Sequence, residues 1–84
     1  MVVEVKKFGA EWCAPCKVLD KNLEGKEYTK INVDTNIEEA KKYGIRNVPC
    51  TLFLVNGEIK EKKIGIFSAE DFDKIIKTIS NDNE

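Results

Sequence analysis

The sequence predicts a single α/β domain built on a small mixed sheet, and three observations carry that expectation. In the first half, short apolar runs rich in β-branched residues alternate with helix-like segments. That is the pattern of a right-handed crossover between parallel strands. The second half changes to two extended runs joined by Asn56-Gly57, a two-residue hairpin signal. A last segment sets Phe72, Ile75, Ile76 and Ile79 at a helical period. The 84 residues are enough for one domain, numbered 1–84 throughout. A chain of this size buries roughly 60–65% of its unfolded surface, so the core is modest.

Each element has its own signal. Val2 to Phe8 is apolar and β-branched enough for a buried first strand. Gly9-Ala10-Glu11 is a short loop. A helix follows from about Cys13 to Leu23, with Pro15 in its first turn, where a missing N–H costs nothing. Asn22 to Gly25 ends it. Glu27 to Val33 is the second strand, with Tyr28, Ile31 and Val33 as its apolar members. Thr35 or Asn36 caps a helix from about Ile37 to Tyr43, and Gly44 closes it. Glu38 and Glu39 complement its positive end. Cys50 to Val55 is the third strand, and Glu58 to Ile66 the fourth, antiparallel to it. Lys60, Glu61, Lys62 and Lys63 mark the fourth as an exposed edge that resists pairing with other chains. Ser68-Ala69-Glu70-Asp71 caps the last helix, and residues 80–84 read as a polar, frayed tail.

Composition excludes several functions. Fourteen basic and fifteen acidic residues give a net charge of −1, with no electrostatic case for nucleic acid or an anionic membrane. No stretch approaches the roughly 18 apolar residues of a membrane helix. The N-terminus carries its charges after Val2 and Val3 and has no small-residue cleavage site, so it does not read as a signal peptide. The expected location is therefore cytoplasmic, where thiols are kept reduced. The chain has no histidine. That removes Cys-His nucleophile pairs, histidine metal ligands and histidine general bases.

Against that background, Trp12-Cys13-Ala14-Pro15-Cys16 is the chemical centre. Two cysteines at this spacing close a small disulfide ring if the second lies one helical turn after the first. The stretch reads as a reversible dithiol at a helix start. A permanent disulfide and half of a zinc site are the competing readings. Structural zinc takes four ligands, and the chain offers three cysteines and no histidine, so no metal is expected.

The chain resembles the thioredoxin family over about Val2 to Ile79. The matching segments, in matching order, are Ala10-Glu11-Trp12-Cys13-Ala14-Pro15-Cys16-Lys17, Asn32-Val33-Asp34, Tyr43-Gly44-Ile45-Arg46-Asn47-Val48-Pro49, and Asn56-Gly57-Glu58 followed by Gly65. The resemblance implies a thioredoxin-like fold: four strands in the spatial order 2-1-3-4, flanked by three helices. It also implies a cis Pro49 set against the dithiol. There are departures. The family's N-terminal strand and helix have no counterpart, and the helix after Cys16 is about two turns shorter, without its usual proline. The size is closer to a glutaredoxin, yet no Gly-Gly-Asp run follows the third strand. The family's buried acid aligns with Lys7. The threonine usual after the proline is Cys50.

These residues set the expected chemistry. Cys13, at the helix N-terminus, faces free N–H groups and the positive end of the dipole, which favour the thiolate that attacks disulfides. Cys16, one turn further in, should be less exposed and resolves the mixed disulfide. Trp12, Ala14, Pro15, Val48 and Pro49 are expected to bind substrate, with the Val48 backbone free to pair with an added strand. The alternatives are core packing for Trp12 and a trans peptide for Pro49. Lys7, if it points under the helix, either stabilises the Cys16 thiolate or exchanges protons itself. The alternatives are that Lys7 snorkels to solvent, or that the register is off by one and Lys6 is the residue concerned. Lys30 matches a family lysine beside the missing acid and is expected to lack a partner, and Glu11 is the nearest carboxylate. Cys50 is a possible modulator, although a small buried strand residue is the favoured reading.

The activity implied is that of a thiol–disulfide oxidoreductase: a protein-disulfide reductase cycling Cys13 and Cys16, with no cofactor beyond that pair. Its expected partners are protein disulfide substrates and an electron-donating, flavin-dependent disulfide reductase, and its expected state is a monomer. Glutathione-dependent chemistry of glutaredoxin type, a non-catalytic binding module and a metal carrier are the alternatives.

Overall fold

Every side chain of the strand Cys50–Val55 is buried. A strand covered on both faces must lie inside a sheet with layers above and below it. The computed structural model describes residues 2–82. Its elements are β1 (Glu4–Gly9), α1 (Ala14–Asn22), β2 (Thr29–Asn32), α2 (Ile37–Lys42), β3 (Cys50–Val55), β4 (Glu58–Ile64) and α3 (Ala69–Asp82). The sheet order is β2-β1-β3-β4. Strands β1 and β2 are parallel, with Lys7 beside Lys30 and Phe8 beside Ile31. Strand β3 runs antiparallel to both β1 and β4. This is the mixed four-stranded α/β architecture with three helices that the resemblance implied.

Alternation along the strands sorts the core into two layers. On one face, Val5, Phe53 and Val55 pack with Leu19 and Leu23 of α1 and with Phe67, Phe72 and Ile79. Phe53 meets the Phe72 ring edge-on at 5.6 Å between centroids. On the other face, Phe8, Ile31, Cys50, Leu52 and Leu54 pack with Val33, Tyr43 and Ile45. Lys7 pairs in register with Thr51, and by alternation both point to the α1 face. Both are fully buried. The Thr51 Oγ1 has no hydrogen-bond partner among the described residues.

The turns follow local chemistry. Asn56 and Gly57 both have positive φ, 53° and 81°, the pair of left-handed residues that a type I′ hairpin requires. Ser68 Oγ accepts from the Asp71 N–H at 3.1 Å, capping α3 as expected. The α2 cap differs from expectation. Asn36 occupies the N-cap position without a side-chain cap bond. Its Nδ2 donates instead to the Asn32 carbonyl at 2.9 Å, so its amide is spent holding the β2–α2 turn. The expected frayed tail is also corrected. Helix α3 continues through Ser80 to Asp82, and residues 83–84 lie outside the described residues. Ile79 is buried at 6% exposure, so the helix is anchored close to its end. Extending a formed helix by one turn avoids the nucleation cost that makes short polar helices unstable.

Candidate active site

β1 ends at Gly9, and the chain turns sharply, with the Cys13 N–H donating to the Ala10 carbonyl at 3.2 Å. Cys13 is the N-cap of α1, in extended conformation, and Pro15 sits in the first turn. The Cys13 Sγ accepts from the Cys16 N–H at 3.2 Å. The sulfur thus takes the place that a serine or aspartate oxygen takes at an ordinary N-cap. This is the arrangement that favours a thiolate, because a free helix N–H and the dipole both stabilise negative charge there.

Cys13 and Cys16 form a disulfide with their Cα atoms 5.3 Å apart. The two residues are buried alike, at 4% and 3% exposure. The expected difference in exposure between them is absent in this oxidised state, because one ring of covalent geometry holds both sulfurs at the same depth. What distinguishes them is direction. Cys13 looks outward toward the Val48 carbonyl oxygen, 3.7 Å from its Sγ. Cys16 looks inward to Gly9.

A Cβ placed on Gly9 would lie 3.2 Å from the Cys16 Sγ and 3.4 Å from its Cβ. To admit it, the Cys16 side chain and α1 must give by a few tenths of an ångström. Gly9→Ala therefore costs about 1–2 kcal/mol of stability in the oxidised protein, read from urea denaturation. A variant as stable as the parent would show that the helix shifts freely.

The Val48–Pro49 peptide is cis. The Pro49 carbonyl accepts from the Gly65 N–H at 2.9 Å, which ties this loop to the end of β4. Pro49 is buried and Val48 half-buried. Ala14 and Pro15 are exposed. Trp12 is 70% exposed, so it is not part of the core, and its Nε1 donates to Asp34 Oδ2 at 2.9 Å. Trp12, the first turn of α1 and the Val48–Pro49 loop therefore surround Cys13.

Lys7 points under α1, which decides the register between Lys6 and Lys7. Its Nζ makes an ion pair with Asp20 Oδ1 and lies 5.5 Å from the Tyr28 ring centre. Lys6 turns to the opposite face and pairs with Glu39 at 2.7 Å. The expectation that Lys30 lacks a partner is corrected: its Nζ bonds Asp20 Oδ2 at 2.9 Å. Asp20 was missed in the sequence because the acid was sought on the first strand. The signal was present. Asp20 follows Cys16 by four residues and so shares its helix face. Burial pushes the Asp20 carboxyl up, but hydrogen bonds from Lys7 and then Lys30 outweigh it, and its pKa is lowered. The Asp20 hydrogen bond and nearby charge in turn raise the Lys30 pKa. Glu11, the nearest carboxylate in sequence, is exposed. Cys16, Gly9, Lys7, Asp20, Lys30 and Asn32 line one cleft of about 480 Å³.

Cys50 is not brought into this group. Strand alternation turns it to the α2 face, beside Phe8 and Leu52. Burial pushes its thiol pKa up, against a smaller lowering by Lys62, which leaves it a poor nucleophile at neutral pH. Among the described residues, no group of three His, Cys, Asp or Glu side chains is placed to hold a metal. No helix among them is long and apolar enough to cross a membrane.

Comparison with known proteins agrees with this geometry. The family model named Thioredoxin matches residues 2–80. A thioredoxin of Rickettsia bellii is 43% identical over 67 residues, covering 70% of this chain and 64% of the relative. A thioredoxin of Buchnera aphidicola is 44% identical over 80 residues, covering 80% of this chain and 73% of the relative. This chain thus spans just under two thirds of the Rickettsia protein. A solved structure of a mutant thioredoxin from Halobacterium salinarum superposes with a TM-score of 0.82 at 30% identity, covering 90% of this chain and 73% of the other. A family match over nearly the whole chain, the same fold in a solved relative, and a dithiol capping a helix beside a cis-proline lead to one conclusion: this chain belongs to the thioredoxin family.

Proposed function

We propose that this chain is a thiol–disulfide oxidoreductase that acts as a protein-disulfide reductase through Cys13 and Cys16. The observation that carries this reading is the Cys13 Sγ at the N-cap of α1, accepting from the Cys16 N–H and bordered by the Val48 carbonyl. In the reduced protein, the Cys13 thiolate attacks one sulfur of a substrate disulfide. A Cys13–substrate bond forms, the substrate S–S bond breaks, and the leaving thiolate takes a proton from water. Cys16, as thiolate, then attacks Cys13. The Cys13–Cys16 bond forms, the Cys13–substrate bond breaks, and the second substrate sulfur leaves as a thiolate that takes a proton from water.

The substrate segment lies across Trp12, Ala14 and Pro15 and pairs with the backbone at Val48, next to Pro49. Electrons return from a partner disulfide reductase, which we place among the flavin-dependent ones. Nothing in the charge balance of −1 directs the chain to nucleic acid. Precipitation of insulin in the presence of dithiothreitol tests the activity. A rate well above the dithiothreitol background is expected, and a rate equal to it sinks the proposal. Parallel assay on a glutathione mixed disulfide separates this reading from glutaredoxin-type chemistry.

A further inference from the structure

The proposed reaction leaves one step without a protein group in charge of it. Cys16 must become a thiolate while buried at 3% exposure. Burial alone opposes that. The charges around the cleft are therefore decisive. From β1, Lys7 faces it. From α1, Asp20 faces it on the Cys16 side, with Lys17 at its rim. From β2 comes Lys30 and from the loop before α1 comes Glu11. Tyr28 contacts Lys7 through its ring. Thr51, in register with Lys7, is polar but uncharged.

Two of these groups are close to the sulfur by construction. Lys7 and Gly9 are two residues apart on one face of β1, a spacing of about 7 Å, and Gly9 is the residue packed against the Cys16 Sγ. Asp20 lies one helical turn from Cys16 on the same face of α1. Lys7 is the only one of the charged groups that is fully buried, so its field is the least screened by water. Asp20 is held between two ammonium groups.

We infer that two opposed charges set the thiolate stability of Cys16: the buried Lys7 ammonium favours the thiolate, and the paired Asp20 carboxylate, braced by Lys30, opposes it. Asp20 does not act as the proton acceptor. A carboxylate with two cations on its two oxygens is a weak base, and its lowered pKa agrees. The proton from Cys16 leaves to water in the cleft. The electrons stay on sulfur until Cys16 attacks Cys13 of the mixed disulfide, and the substrate thiolate that departs is reprotonated by water. Stabilising the reduced form in this way makes the pair more oxidising.

The inference rests on the dithiol reading, but its test does not require turnover. Two quantities are measured on full-length reduced and redox-buffered protein: the Cys16 titration, from its 13Cβ shift against pH, and the equilibrium of the Cys13–Cys16 pair with glutathione. Three variants form a charge series: Lys7→Met, Asp20→Asn, and both together. The Lys7 ammonium contacts Asp20, one helical turn from Cys16, and a unit charge on the order of 10 Å away at an effective dielectric near 20 changes the thiol/thiolate ratio about tenfold. Lys7→Met is expected to raise the Cys16 pKa by about one unit and, in redox buffer at a pH above the parent Cys16 pKa, to shift the equilibrium about tenfold toward the disulfide. Asp20→Asn is expected to move both in the opposite sense, with Asp20→Glu restoring the parent values, and the double variant falls between. If Lys7→Met is too unstable to measure, the Asn and Glu variants at position 20 still decide the sign. Shifts of one sign in both single variants, or an unmoved Cys16 titration alongside lost stability, overturn the inference and leave a purely structural ion pair. Failure of the insulin assay with the charge series intact would instead reject only the protein-reductase reading.

Discussion

On the proposed activity, Cys13→Ser is expected to lower the reduction of protein disulfides at least about a thousandfold, because a serine hydroxyl at the same N-cap does not ionise near neutral pH. Cys16→Ser gives a different product. The first attack by Cys13 remains, but no thiol follows to resolve it. The variant accumulates a one-to-one mixed disulfide with substrate, which mass spectrometry detects and dithiothreitol releases. The asymmetry comes from placement: the two residues are equally buried, but only the Cys13 sulfur takes the N-cap bond and borders Val48. A Cys13→Ser protein that keeps a tenth of the parent rate would place the nucleophile elsewhere.

The second large effect concerns stability. Asp20→Ala leaves the fully buried Lys7 without its counter-ion. Breaking a buried pair from one side costs about 3–5 kcal/mol. The Asp20 side chain is 28% exposed, so the low end, about 3 kcal/mol, is expected. A domain of this size has only about 4–13 kcal/mol in total. The sign with pH follows from the lowered Asp20 pKa. A depressed carboxylate contributes stability that is complete above its unfolded value, here 3.8, and is lost as pH falls through the folded value. The parent and Asp20→Ala should therefore differ most at neutral pH and converge under acid, as measured by urea denaturation at stepped pH. A difference that stays constant down to pH 2 would mean that Asp20 contributes packing and not charge.

The order of elements and the dithiol were legible because each has a local cause. Asn56-Gly57 demands positive φ at two residues, Ser68 caps the amide of Asp71, and the period of Phe72, Ile75, Ile76 and Ile79 follows one helix face. The acid beneath α1 was not legible in the same way. A carboxylate and its lysines lie at Lys7, Asp20 and Lys30, one on each of three elements. Lys7 and Lys30 stood out only through the family resemblance, and Asp20 taken alone reads as an ordinary solvated charge. Likewise Asn36 looks like a cap by type, and only the nearby Asn32 carbonyl diverts its amide.

The amino-acid sequence alone determined that two thiols stand one turn apart at a helix start, in a chain without histidine, preceded by an apolar strand; the resemblance to the family added the redox reading and the Val-Pro segment facing the pair. The former are properties of spacing, residue type and turn chemistry, which act over a few residues. Tertiary structure decided the surroundings. It put Cys50 in the opposite layer from the dithiol, turned Lys7 rather than Lys6 under the helix, and supplied Asp20 as the partner of two lysines. Such outcomes depend on which face of a strand meets which face of a helix, and a long-range ion pair has no signature until both faces are in place.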